Sequence, residues 1–140
     1  MLRAALDANV YISALLRPEG PPGRIIERFL RKVAFDIVLS RTIVDEVLRA
    51  FACPKVRRLI RGDARPELWF EDIVVLADLV SGDDAVSGVC ADPDDDKYIG
   101  AAIEGRAALI VTGDRQLLAL IEHDGVRIIS PRAFLDLLGD

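Results

Sequence analysis

The chain has 140 residues, 51% of them hydrophobic, which is enough to bury one core at close to the commonest domain size, so a single domain over 1–140 is expected. A net charge of −5 argues against a protein that holds nucleic acid by a general basic surface, although acids that bind a cation enter that sum and are neutralised in a working site. No stretch approaches the roughly 20 apolar residues that span a bilayer, and no basic start leads into an apolar run, so a soluble cytoplasmic protein without a membrane partner is expected.

Residues 2–6 form an apolar run of the kind that makes a fully buried parallel strand, and the run ends at Asp7. A short helix starting near Asn9 follows, closed by the Pro/Gly loop 18–23, and Arg24–Val33 reads as a second helix. The next strand is 35–39. Ser40 then starts a helix whose apolar face is Ile43, Val44, Val47, Leu48 and Phe51, which directs Asp45 to solvent and leaves Glu46 at the margin, one turn in. Pro54 and Pro66 suit first helical turns, so 53–61 and 66–80 are predicted helices. The second of these carries Leu68, Trp69, Ile73, Leu76, Ala77 and Val80, a stripe for the core or a dimer contact. Lys55, Arg57, Arg58, Arg61 and Arg65 form either a solvated basic face or a phosphate-contacting rim.

A weaker strand is predicted at 85–90, a helix after Asp92, a strand at 108–111 ending near Asp114, a helix over Arg115–Glu122 and a last strand at 126–129. Strands alternating with helices give a doubly wound parallel sheet with right-handed crossovers and helices on both faces. Ligands of such sheets bind at the carboxyl ends of the strands, where Asp7 and Asp114 fall.

Each acid has a structural reading beside the chemical one. Asp7 and Asp114 can cap the helices that follow them. Asp92-Pro93-Asp94-Asp95 has the makeup of a helix start, with Asp at N-cap, proline at N1 and acid in the first turn. Projection at 100° per residue separates these acids: Ile99, Ala102 and Ile103 set the buried face, Asp95 points near its centre and Asp92 within about 60° of it. Asp94 points away and Asp96 lies on the flank. Carboxylates converging on one strand edge repel by roughly 4 kcal/mol per pair at about 4 Å, for which a divalent cation is the simplest remedy. Asn9, Ser40 and Thr112 are polar neighbours able to orient carboxylates or water.

Cys53 and Cys90 are far apart without a metal-binding or redox spacing and are expected to be buried free thiols. His123 is the only histidine, which excludes a two-histidine ribonuclease; it lies in the polar turn Glu122-His123-Asp124-Gly125.

Taken together, Leu6-Asp7-Ala8-Asn9-Val10-Tyr11-Ile12-Ser13-Ala14-Leu15, Ser40-Arg41-Thr42-Ile43-Val44-Asp45-Glu46-Val47, Asp92-Pro93-Asp94-Asp95-Asp96-Lys97 and Val111-Thr112-Gly113-Asp114 with Leu117-Leu118 resemble the PIN domain. The similarity is greatest to the bacterial and archaeal group related to VapC-type toxins, and runs from about Leu2 to Leu138. The resemblance implies a sheet of about five strands in the order 3-2-1-4-5 and an acidic pocket for Mg²⁺ or Mn²⁺. It further implies endoribonuclease activity on single-stranded RNA, in a homodimer held inactive by a cognate antitoxin. Asp7, Glu46, Asp95 and Asp114 fall on the family's acidic positions, with Asp92 a further metal ligand to consider. The aspartate run leaves Asp95 and Asp96 interchangeable by alignment, and the helical projection favours Asp95. Gln116 departs from relatives that carry another acid after the Gly-Asp.

The expected chemistry is metal-assisted hydrolysis of an RNA phosphodiester, with Lys97 or an arginine from 55–65 steadying the phosphate. One rival is an acidic-site phosphatase or phosphoryl-transfer domain, disfavoured because Asp7-Ala8-Asn9 stands where Asp-x-Asp is usual and no glycine-rich phosphate loop follows a strand. Another is a catalytically inactive PIN-like module kept for its partner interface.

Overall fold

Three runs of small and β-branched residues, Ala4–Leu6, Ile37–Leu39 and Leu109–Val111, lie at the centre of the molecule, and almost all of their surface is buried. Such continuous apolar strands are stable only where helices cover both faces of a parallel sheet. The structure is a computed structural model, and it describes residues 1–32, 34–82 and 86–139. In chain order the elements are β1 (Arg3–Leu6), α1 (Ala8–Leu16), α2 (Pro21–Lys32), β2 (Asp36–Ser40), α3 (Arg41–Ala52), α4 (Pro54–Arg57), α5 (Pro66–Leu76) and β3 (Asp78–Val80). A 3₁₀ turn over Pro93–Asp95 leads into α6 (Asp96–Glu104), followed by β4 (Leu109–Val111), α7 (Arg115–Leu118), β5 (Glu122–His123), β6 (Val126–Ile129) and α8 (Pro131–Leu138).

The sheet order is β3-β2-β1-β4-β6-β5. The first five are parallel, with Ala5 opposite Val38 and Leu6 opposite Val111, and their arrangement is the expected doubly wound one. The sheet has six strands rather than five because Glu122 and His123 add a two-residue antiparallel edge to β6 across the Asp124-Gly125 turn. Pairing to β6, not local sequence, makes that strand, and it shortens the predicted helix 115–122 to one turn.

Other boundaries also move. The predicted helix 66–80 stops at Leu76, and the third strand is Asp78–Val80 rather than 85–90; Ala85 lies outside the described residues, and 86–90 form no strand. The predicted helix 53–61 keeps only Pro54–Arg57. The predicted apolar stripe of α5 is met in part: Ile73 is buried and Trp69 packs against the core, Phe70 is buried in addition, and Leu68 and Leu76 are more than half exposed. Phe70 packs edge-on against Tyr11 and Phe51, with ring centroids 5.2 and 6.4 Å apart, so aromatic packing fixes the face that α5 buries. Helix α8, started by Ser130 capping the Ala133 amide and by Pro131, lies beyond the predicted elements and seats Phe134 on Phe35 at 4.8 Å.

Arg3 fastens the amino-terminal edge of the sheet. Its guanidinium donates to the Gly105 carbonyl at 2.8 Å, to Asp36 at 3.3 Å and to Asp78, joining β1, β2, β3 and the end of α6. At the first turn of α2 the chain packs so closely that a Cβ on Gly23 would stand 2.2 Å from the Pro18 carbonyl oxygen. Backbone on both sides leaves little room to yield, so Gly23→Ala is expected to cost about 2 kcal/mol, read as a fall of roughly 6 °C in thermal unfolding followed by circular dichroism.

Candidate metal centre

The strand order reverses between the parallel strands β1 and β4, where chain connections leave on opposite sides and open a crevice at the carboxyl edge. Asp7 follows β1 and Asp114 follows β4 by three residues. Asp7 is buried, caps α1 by accepting from the Asn9 amide at 3.2 Å, and accepts from the Thr112 hydroxyl at 2.7 Å. The same Thr112 oxygen accepts from the Asp114 amide at 3.0 Å, while Asp114 caps α7 through the Gln116 amide at 2.9 Å. Capping and clustering thus coexist, because a carboxylate has about four acceptor positions and each cap uses one. Of the three polar neighbours, Thr112 links the two acids, Ser40 is engaged in capping α3 through the Ile43 amide at 3.3 Å, and Asn9 contributes its backbone amide.

Glu46 reaches the crevice from α3 and is held at both oxygens. The Tyr98 hydroxyl donates to Oε1, and the Lys97 ammonium donates to Oε2 at 3.0 Å. Tyr98 is buried and accepts in turn from the Ala8 amide at 3.1 Å, which ties Glu46 to the start of the helix that Asp7 caps. Burial, then Asp7 and Glu46, push the Tyr98 phenol well above its ordinary range, so it stays a donor. Tyr98 has no place among the sequence candidates: helical periodicity marks it only as apolar, and its partner lies 52 positions away.

The third motif begins with the 3₁₀ turn, in which Asp92 caps the Asp94 amide at 3.0 Å. Asp95 is half-buried, and its carboxyl is pushed up to about 6 by burial and by the charges of Asp7, Asp92 and Asp114, with Lys97 opposing. Asp7, Asp92, Asp95 and Asp114 therefore share one electrostatic environment. Asp96 is buried and accepts from the Gly88 and Cys90 amides at 3.1 and 2.7 Å. It is the first residue of α6, and the 88–90 loop lies over that side of the helix, which buries a position that projection alone leaves on the flank. Asp94 is exposed.

Among the described residues, no three His, Cys, Asp or Glu side chains already stand at metal-ligating spacing. Mutual repulsion opposes a closer approach of bare carboxylates, and it adds to burial, the larger cause, in raising the Asp95 carboxyl. An all-oxygen donor set of several acids, partly desolvated, fits a hard dication such as Mg²⁺ or Mn²⁺. A cavity of about 220 Å³ borders Lys97, Ser40 and Thr42, and another of about 200 Å³ borders Asp95, Gln116 and Leu117.

Other candidates fall elsewhere. His123 pairs with Val126 at the start of β6, the sheet edge opposite the acids, so it is not available to this crevice. Lys55, Arg57, Arg58, Arg61 and Arg65 are exposed beyond the far end of α3, and Arg57 pairs with Glu67. Cys53 is exposed rather than buried, and burial together with Asp96 pushes the Cys90 thiol up to about 12, which keeps it unreactive.

The fold and crevice define a doubly wound α/β domain with an acidic carboxyl edge. Residues 3–116 match the PIN domain family, and the chain belongs to that family. Its relatives include MJ1680, an uncharacterized protein of Methanocaldococcus jannaschii, 28% identical over 145 aligned positions that cover 96% of this chain and 90% of the relative. Similar solved structures are PAE2754 from Pyrobaculum aerophilum and VapBC2 from Rickettsia felis bound to a DNA fragment from their promoter. The first has a TM-score of 0.62 at 18% identity, covering 99% of this chain and 90% of that one. The second has a TM-score of 0.60 at 10% identity, covering 92% and 98%. These two likenesses bear on the fold. PIN domains are generally nucleases.

Proposed function

We propose that the protein is a metal-dependent endoribonuclease for single-stranded RNA, built as one nuclease domain over 1–140, and the toxin of a type II toxin–antitoxin pair. The observation that carries the reading is the joining of Asp7 and Asp114 through Thr112 at the carboxyl ends of the adjacent strands β1 and β4, with Asp95 near enough for their charges to act on it. A bound Mg²⁺ or Mn²⁺ supplies Lewis acidity toward the phosphate and lowers the pKa of a water. Asp7, Glu46, Asp95 and Asp114 would hold it, with Asp92 at the rim. Thr112 fixes the Asp7 carboxylate and Tyr98 fixes Glu46, so both acids are oriented before substrate arrives. With the charge of the ionised carboxylates offset by the ion they hold, the fixed donors of this partly desolvated crevice would favour charge developing on the scissile phosphate.

The toxin assignment draws on the likeness to VapBC2, and so does a cognate antitoxin as partner. Exposed Leu68, Val75, Leu76 and Leu79 offer an apolar face for a homodimer. Among the described residues no helix is long and apolar enough to cross a membrane, consistent with work on cytoplasmic RNA.

The test is wild-type protein with Mn²⁺ or with EDTA, assayed on single-stranded RNA, the matching duplex and single-stranded DNA of the same sequence. Cleavage restricted to the single-stranded RNA with Mn²⁺ is expected. Manganese at about 100 times its dissociation constant should also add roughly 2.7 kcal/mol to the unfolding free energy. A protein that gains no stability from the ion would instead be the inactive interaction module.

A further inference from the structure

Among the described residues, Glu46 is the one acid of the crevice with a basic side chain in contact, and the contact is built in. The Lys97 side chain is only 16% exposed, and its ammonium donates to Glu46 Oε2 at 3.0 Å and to the Asp94 carbonyl at 2.7 Å. It also stands 5.2 Å from the Tyr98 ring centre, over the aromatic face. Its positive charge acts on Asp95 as well as on Glu46.

We infer that Lys97 is the internal counter-cation of the metal-free crevice, and that a divalent ion engages Glu46 only by displacing the Lys97 ammonium. The inference rests on the metal-dependent reading above and adds a competitor to it. Two cations of this kind cannot share one carboxylate at contact distance without repulsion, and an ammonium that loses Glu46 moves outward to the mouth of the crevice. Glu46 itself stays in place, because Tyr98 holds its other oxygen from the buried side. Metal affinity is thereby set below what the carboxylates alone would give, and removing the lysine charge should raise it.

The experiment measures Mn²⁺ binding to RNA-free protein by calorimetry, for wild type, Lys97→Gln and Lys97→Arg. Lys97→Gln is expected to bind Mn²⁺ about tenfold more tightly than wild type, and Lys97→Arg no more tightly. A second measurement needs no variant. The chain has three lysines, Lys32, Lys55 and Lys97, so amine acylation of wild type can be mapped by mass spectrometry with the exposed Lys55 as reference. Saturating Mg²⁺ should raise Lys97 labelling at least threefold relative to Lys55. Equal or weaker Mn²⁺ binding by Lys97→Gln, or labelling unchanged by the ion, overturns the displacement while leaving the metal site standing. Wild type that binds no Mn²⁺ overturns both.

Discussion

Replacing Asp95 with Asn is expected to make the metal-free protein more stable and, at the same time, to remove its activity. A carboxyl raised from 3.8 to about 6 destabilises the folded state once it must ionise there. The full shift corresponds to roughly 3 kcal/mol, and water over the half-exposed group screens this to about 1 kcal/mol. Because the folded value lies above the unfolded one, stability falls as pH rises from about 4 through 6, and the penalty is complete above that. Asp95→Asn cannot ionise, so its advantage, about 3 °C in melting midpoint, should be present at pH 8 and absent at pH 4. Saturating Mn²⁺ should reverse the order, since the ion favours the carboxylate. Cleavage of single-stranded RNA should fall more than about a hundredfold, the upper range for losing a partner one step removed from a metal. A variant that is both more stable at pH 8 and fully active would sink the role proposed for Asp95.

What could be read from residues alone followed the strength of local signals. Asp7 and Asp114 are placed by apolar runs whose continuity permits only buried parallel strands, and the structure puts both at the carboxyl edge. Periodicity also aims Asp95 toward the face that Ile99 and Ala102 define, although Asp95 itself ends the 3₁₀ turn, and in the structure the charges of Asp7, Asp92 and Asp114 act on it. The burial of its neighbour was illegible, because the 88–90 loop that covers Asp96 has no periodic pattern of its own to show that it folds over the first turn of α6. Strand β3 was hidden for another reason: three half-exposed residues directly after a helix carry no period, and only pairing with Val38–Ser40 makes them a strand. The holding of Glu46 by Tyr98 and Lys97 is a contact across about 50 positions, created by the packing of α3 against α6.

Asp96 supplies the contrasting prediction from the adjacent position. Its buried carboxylate closes the 88–90 loop by accepting the Gly88 and Cys90 amides. Burial alone would push this carboxyl up, but the amide of Cys90, its thiol, and the amides of Gly88 and Val89 outweigh burial and hold it below the usual carboxylate range. Asp96→Ala removes two charge-assisted hydrogen bonds and strands their donors, a cost of about 4 kcal/mol, or roughly 12 °C of melting midpoint. Asp96→Asn keeps one acceptor and should lose about half of that. The pH dependence has the opposite sign to that of Asp95: a lowered carboxyl stabilises the fold above its unfolded value near 4, and the contribution disappears as pH falls through the folded value. Wild type should therefore exceed Asp96→Asn at pH 7, with the gap closing only as pH falls below the unfolded carboxylate value, as read by urea unfolding across an acid series. Mn²⁺ should stabilise wild type and Asp96→Asn by similar increments, because Asp96 is turned to the loop and not to the crevice. An Asn variant that melts like wild type yet gains nothing from Mn²⁺ would exchange the roles of the two aspartates.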